Sequence, residues 1–336
     1  MLTKLEKKGI NRKLPDMIIF RSFTLVIFAL VTFPTLLISK EKNRVVLDSS
    51  TGISDKHIIT LKNLFPKRHV GTRFSFSKAD MDRIIFFLHS LNYDISVRIK
   101  NISMLNHYGY KREFFDQSKI IYKPKYASFN RDQLYKLFSS AIYYDFSMGS
   151  LQSTGLRLDF ALSNSLGFFA LQAPDGKTLY TRNGSFKLDS SRAIVSSNGY
   201  LLQPFIVLPE DGLLETLLVS ENGDLYITKV GSSTPIKFGK IPVYHFNNLY
   251  ALKPTSQCIC FVAESNAKIF KGTPGLNGLG TILQSFLEMS NVNYNDEFSE
   301  LMYQIKTQNL IIQMIQRLDK NFLYDNRLPT SDKFIR

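Results

Sequence analysis

The chain has 336 residues, 21% charged and 44% hydrophobic, a globular balance that excludes wholesale disorder and is long enough for two domains. Its 42 Lys and Arg against 28 Asp and Glu leave a net charge of +14, an excess that suits nucleic acid, an anionic membrane surface or an acidic partner, or is simply a basic surface. No RNP, zinc-finger or helix-turn-helix signature accompanies the charge, so no nucleic-acid partner is assigned.

Residues 1–74 read as an N-terminal extension built around an apolar segment at 17–39, with Lys7, Lys8, Arg12, Lys13 and Arg21 before its longest uncharged run and Lys40, Lys42 and Arg44 after it. That run, 22–39, is near the lower limit of about 17–25 residues for a bilayer-spanning helix. A basic stretch before an apolar one also has the layout of a secretory signal. The readings are an uncleaved membrane anchor with the bulk of the protein outside, a signal cut near Ser39, or a buried helix or mis-assigned start.

Residues 75–112 have the period of a helix. Met81, Ile84, Leu88, Leu91, Ile95 and Ile102 recur at three- and four-residue steps, interrupted by Arg98, and Gly109 marks the stop. Residues 113–148 form an aromatic, basic connector with a short helix at 132–144. Such aromatics are suited to stacking on single-stranded bases, but more commonly make core or subunit contacts. From 149 to 270 the pattern is short apolar or alternating runs between Asp175-Gly176, Asn183-Gly184, Asn198-Gly199, Asp211-Gly212 and Asn222-Gly223, the marks of an antiparallel β-rich domain. Cys258 and Cys260, two residues apart, fit disulfide geometry poorly and read as small buried hydrophobes.

After a Gly-rich stretch the helical period returns over 271–325, ahead of a tail at 326–336. One row of its apolar seam holds Phe298, Ile305 and Ile312, the other Leu301, Ile315 and Phe322, with Gln308 and Asp319 as polar breaks and Met302, Ile311, Met314 and Leu318 widening the face. The fold class expected is α+β: N- and C-terminal helices packed as a coiled-coil-like layer around a β-rich, mostly antiparallel middle domain. The seam residues Leu88, Leu91, Ile95, Leu301, Ile305, Ile312 and Ile315 are expected at subunit interfaces, or buried against each other within one subunit.

Chemistry for catalysis is not legible. His57, His69, His89, His107 and His245 have no ligand-like partner at helical spacing, the Gly-rich stretch 272–280 lacks a phosphate-loop ending, and there is no G-x-S-x-G elbow. No catalytic, cofactor-binding or metal residue is assigned, and the chain is not read as an enzyme.

Several motifs occur in a fixed order. Asn101 and Gly109-Tyr110-Lys111 close the first helix. Thr154-Gly155 with Leu158-Asp159, then Gly167-Phe168-Phe169, then Tyr180-Thr181-Arg182-Asn183-Gly184-Ser185-Phe186 run through the middle. Leu287-Glu288-Met289-Ser290-Asn291-Val292 precedes the last helix. Together they resemble the bacterial flagellar basal-body rod proteins, relatives of the hook protein. The resemblance implies a structural subunit of the proximal or distal rod, the torque-transmitting periplasmic shaft. It implies as partners copies of itself and other rod and hook subunits, with flagellar ring proteins, the export apparatus, and a membrane contact through 17–39 beside them. It also adds Asn101, Gly109, Tyr110, Lys111, Tyr180, Arg182, Ser290, Asn291 and Val292 to the interface set. From the residues alone, Tyr180 and Arg182 are either a surface contact or hairpin-stabilising strand positions, and Asn291 suits capping or orienting the start of the last helix. The alternative function is a membrane-tethered periplasmic or surface binding protein that uses the β domain.

Overall fold

A computed structural model describes residues 77–255 and 259–318. The extension 1–74 with its apolar segment 17–39, Cys258 and the tail 326–336 lie outside the described residues. Among the described residues no helix is long and apolar enough to cross a membrane. Among the described residues the architecture is mixed: three α-helices flank or interrupt eighteen short strands, and every strand pairing is antiparallel. The described residues fall in two units, one of 77–81 with 307–318, the other within 82–306.

Helix α1 (Lys78–Ser103) starts on a reciprocal cap, in which Ser77 Oγ accepts from the Asp80 amide and Asp80 Oδ2 accepts from the Ser77 amide. It lies inside the 75–112 segment expected from the 3.6-residue period and ends six residues before Gly109. Ile84, Leu88 and Leu91 are buried, while Ile95 and Ile102 are only half-buried. A second buried stripe of Phe86, Tyr93 and Val97 arises because the aromatic connector folds back onto the helix. There β1 (Glu113–Phe115) pairs with β2 (Ile142–Tyr144), and α2 (Arg131–Ser139) lies between them. Phe115, Leu134, Phe138 and Ala141 join the α1 stripe in one small core, with Tyr93 edge-on to Phe115 at 5.1 Å and Phe86 edge-on to Phe138 at 5.5 Å. Phe115, Phe138 and Phe146 are therefore core, Tyr122, Tyr126 and Phe129 pack half-buried against the small cluster, and Tyr135 is 43% exposed. Helix α2 begins at a capping box between Asn130 and Gln133 and stops short of the expected 144, because Ile142–Tyr144 enters the sheet.

The middle of the chain is organised around a seven-stranded sheet. Its order is β14 (Leu252–Pro254), β15 (Cys260–Ala263), β6 (Thr178–Thr181), β5 (Phe169–Gln172), β9 (Leu201–Gln203), β8 (Ile194–Ser196), β7 (Phe186–Leu188). A three-stranded sheet of β10 (Leu218–Val219), β11 (Asp224–Thr228) and β12 (Pro235–Lys240), and a pair of β13 (Val243–Phe246) with β16 (Ile269–Gly272), complete the domain. Phe160, Phe169, Leu202, Leu225, Ile227, Ile241 and Val243 are fully buried in its main core. Each such side chain contributes roughly 1.5–3 kcal/mol relative to exposure. Asp175-Gly176, Asn198-Gly199 and Asn222-Gly223 turn consecutive paired strands, as expected from their residues. Asn183-Gly184 does not, since β6 and β7 are not neighbours.

The last strands return to the first. β17 (Ile282–Gln284) pairs with β4 (Phe160–Leu162), and β18 (Phe286–Glu288) pairs with β3 (Leu151–Ser153), so the paths into and out of the domain run side by side. Helix α3 (Tyr294–Leu318) follows. The Asn293 side chain accepts from the amides of Asn295 at 2.9 Å and Asp296 at 3.4 Å, so the cap expected at Asn291 sits two residues later. Leu301, Ile311 and Ile315 are buried along α3, and Ile305 and Ile312 are half-buried.

Candidate functional site

Strand β18 ends in Glu288, and its pairing with β3 carries that carboxylate under the chain leaving the β1–β2 lobe. Glu288 Oε1 accepts from Lys111 Nζ at 2.6 Å and from the Gly149 amide at 3.0 Å. Its Oε2 accepts from Arg182 Nε at 2.7 Å, and Arg182 Nη2 lies 2.6 Å away. The three residues are each 1% exposed. Further bonds tie both cations to backbone: Lys111 Nζ donates to the Ser147 carbonyl at 2.6 Å, and Arg182 donates to the carbonyls of Asn164 and Gly167. A dry charge cluster is tolerable only with this degree of satisfaction. Burial pulls both cations below their usual pKa ranges, and the Glu288 carboxylate opposes the shift in each.

The backbone around the cluster is as tightly fitted as the side chains. Gly109 has φ +70°, donates its amide to the Glu288 carbonyl at 2.7 Å and lies flat against Arg182 and Asn183. One turn of chain therefore touches both other segments of the junction. Asn101, fully buried near the end of α1, pairs its carboxamide with the backbone of Glu113 (Nδ2 to O 2.7 Å, N to Oδ1 3.0 Å) and accepts from Tyr110 Oη at 2.9 Å. Asn291 accepts from the Arg112 amide at 2.8 Å and donates to the carbonyls of Asp145 at 2.8 Å and Ser147 at 3.0 Å. Its work is to clamp two connector strands to the start of the last helix.

A second ionic cluster joins α1 to the first turns of α3. Glu297, fully buried, takes Arg98 on Oε2 at 3.3 Å and Arg112 on Oε1, and Arg98 Nε also meets Asp94 at 3.2 Å. Burial, then the nearby carboxylates of Glu300 and Glu297, push Asp94 up to about 6, against the pull of Arg98. Asp94 thus binds its proton more tightly folded than unfolded. Its contribution to stability is full below the unfolded value near 4 and is lost as pH rises through about 6. Asp94→Asn is expected to raise the unfolding free energy by about 2–3 kcal/mol relative to the natural chain at pH 8 and to change little at pH 4. Urea titrations at the two pH values measure that difference.

Of the residues expected at interfaces, Asn101, Gly109, Tyr110, Lys111, Tyr180 and Arg182 are buried within the protomer and converge on these clusters or on the core beside them. Arg182 is not on the surface, and Tyr180 is a β6 position packed edge-on against Phe246 at 4.8 Å. Leu88, Leu91, Leu301, Ile315 and Val292 are also buried, whereas Ile95, Ser290, Asn291, Ile305 and Ile312 keep part of their surface. Sequence reasoning did not single out Glu288 and Glu297 as partners of the cations. Acidic residues just before and just inside a helix read as ordinary favourable charge at its N-terminus, and the signal that marks them is that both fall at apolar-facing positions. Among the described residues, no group of three or more His, Cys, Asp or Glu is placed to hold a metal ion.

The arrangement is a structural junction, in which the buried polar residues bind segments of one chain to each other. Residues 164–227 match the family model described as the flagellar hook protein FlgE/F/G D1 domain. The chain is 33% identical over 183 residues to the flagellar basal-body rod protein FlgG of Borreliella burgdorferi, covering 54% of this chain and 69% of that one. It is 32% identical over 182 residues to FlgG of Buchnera aphidicola subsp. Schizaphis graminum, covering 52% and 69%. A shorter stretch of 63 residues, 19% of this chain and 15% of the relative, is 43% identical to the flagellar hook protein FlgE of Escherichia coli. The chain belongs to the flagellar basal-body rod protein family.

Proposed function

We propose that the chain is a structural subunit of the flagellar basal-body rod, proximal or distal, and that α1 and α3 form the coiled-coil-like layer through which copies pack. The observation that carries this reading is the likeness to FlgG over 69% of that relative's length. The junction around Glu288 supports it, because a shaft that transmits torque needs its helices and β domain fixed to one another within each subunit. In this reading the domain map is an extension (1–74), a rod helix (75–112), the connector (113–148), the β domain (149–270), the C-terminal helix region (271–325) and a tail. Partners are copies of the chain, other rod and hook subunits, the surrounding rings and the export apparatus, in the periplasmic part of the basal body.

The interface role then falls on side chains that retain surface after the protomer folds. Ile305 and Ile312 lie seven residues apart, on one row of α3. Replacing both with Asp is expected to remove the chain from purified basal bodies and abolish swimming, with the β domain still folded. Normal swimming by that double variant would end the proposal.

A further inference from the structure

The β domain carries two exposed apolar strips of opposite charge. The first is strand β16 and its neighbours. Ile269 and Phe270 are 45% and 44% exposed, with one face of the Phe270 ring stacked on His245 at 5.0 Å. Residues 250–272 hold Lys253, Lys268 and Lys271, all exposed, against the single acid Glu264. Strand β16 pairs with β13 alone among the described strands, so its outer edge presents backbone donors and acceptors. An exposed edge strand with apolar side chains is a ready template for another strand or loop.

The second strip is 205–218. Here Ile206 and Leu208 turn inward, while Phe205 and Val207 face solvent at 58% and 41% exposure, followed by the exposed Leu213. The stretch contains Glu210, Asp211 and Glu215 and no basic residue. Lys229 pairs with Asp211 at 3.0 Å and Arg192 donates to the Gly212 carbonyl, which leaves Glu210 and Glu215 as the strip's outward charges.

Residues 206–208 run beside β8, bridged through Ala193 and Val207, whereas Tyr244 of β13 bridges Phe168 just before β5 and Phe246 of β13 packs with Leu252 and Phe261. The two strips are opposite in charge and each exposes apolar side chains. They suit a head-to-tail contact that repeats without closing, the geometry of a helical polymer.

We propose that the β16 edge of one copy docks on the 205–218 strip of the next, with Ile269 and Phe270 against Phe205 and Val207 and Lys268 and Lys271 against Glu210 and Glu215. This rests on the rod reading and names the surface of the β domain that a second copy occupies.

The test is made in the motile host with the full chain. Lys268→Glu with Lys271→Glu, and separately Glu210→Lys with Glu215→Lys, are each expected to lower the amount of chain in purified basal bodies by about tenfold or more, since like charges then face each other. Combining all four is expected to restore it. Thermal melting of each purified variant, expected unchanged because all four positions are exposed, separates lost docking from lost folding. In parallel, co-expressed F270C and V207C copies should give a crosslinked dimer that neither gives alone. Failure of the fourfold reversal to restore incorporation, or crosslinking of F270C to itself, would overturn the head-to-tail contact while leaving the rod reading intact. Absence of the natural chain from basal bodies would overturn both.

Discussion

Glu288→Ala is expected to be the most damaging single change in the protein. It deletes the one carboxylate shared by two buried cations, leaving Lys111 and Arg182 facing each other and the Gly149 amide without its acceptor. Removing one partner of a buried ion pair costs about 3–5 kcal/mol, a large part of the roughly 5–15 kcal/mol that holds a typical domain together. Urea titration of the purified chain should show the loss directly, and the variant should be missing from basal bodies. Lys111→Met is the informative companion. It leaves Glu288 with Arg182 and replaces the buried lysine stem with an apolar one of similar length, so its cost should be clearly smaller. Equal losses from the two would show that the carboxylate is not the hub of the junction.

Gly109→Ala should come close behind, through the backbone rather than charge. At φ +70° an L residue is strained by roughly 1–2 kcal/mol. The added methyl would lie 2.6 Å from the Arg182 carbonyl carbon and 2.7 Å from the Asn183 α-carbon, where no flexible side-chain end exists to move aside. Overpacking adds a further 1–3 kcal/mol or so. Relief would require the 107–111 turn to back away, breaking the Gly109 amide bond to Glu288 and lengthening the Lys111–Glu288 pair. Purified Gly109→Ala protein is therefore expected to melt at lower temperature and to show faster hydrogen exchange at the Gly109 amide. Unchanged exchange there would contradict the close approach described.

Much of this organisation was readable in the chain. The two long helices followed from apolar residues at three- and four-residue steps, and the β-rich middle from short runs between Asn-Gly and Asp-Gly pairs. These signals are local, since a helix or hairpin fixes which side chains share a face within a few residues. The motifs were legible as well, but not as one site. Gly109-Tyr110-Lys111, Arg182 and Glu288 are separated by 71 and 106 residues, and nothing in periodicity links them. The same limit explains why Arg182 is equally readable as a surface contact, since Arg on a short strand is usually exposed. The seam of the last helix was legible in type but not in rotation. The half-buried Ile305 and Ile312 and the buried Leu301 and Ile315 lie on adjacent rows whose residues look alike.

Sequence by itself determined the two long helices, the β-rich character of the middle and the family, because each rests on neighbours along the chain. Only the tertiary structure decided that three distant motifs are one buried junction. That outcome depends on β17 and β18 returning to pair with β4 and β3, which sets a carboxylate from the domain's exit against cations from its approach and its centre. Charges so placed are stable away from water only when all their partners arrive together.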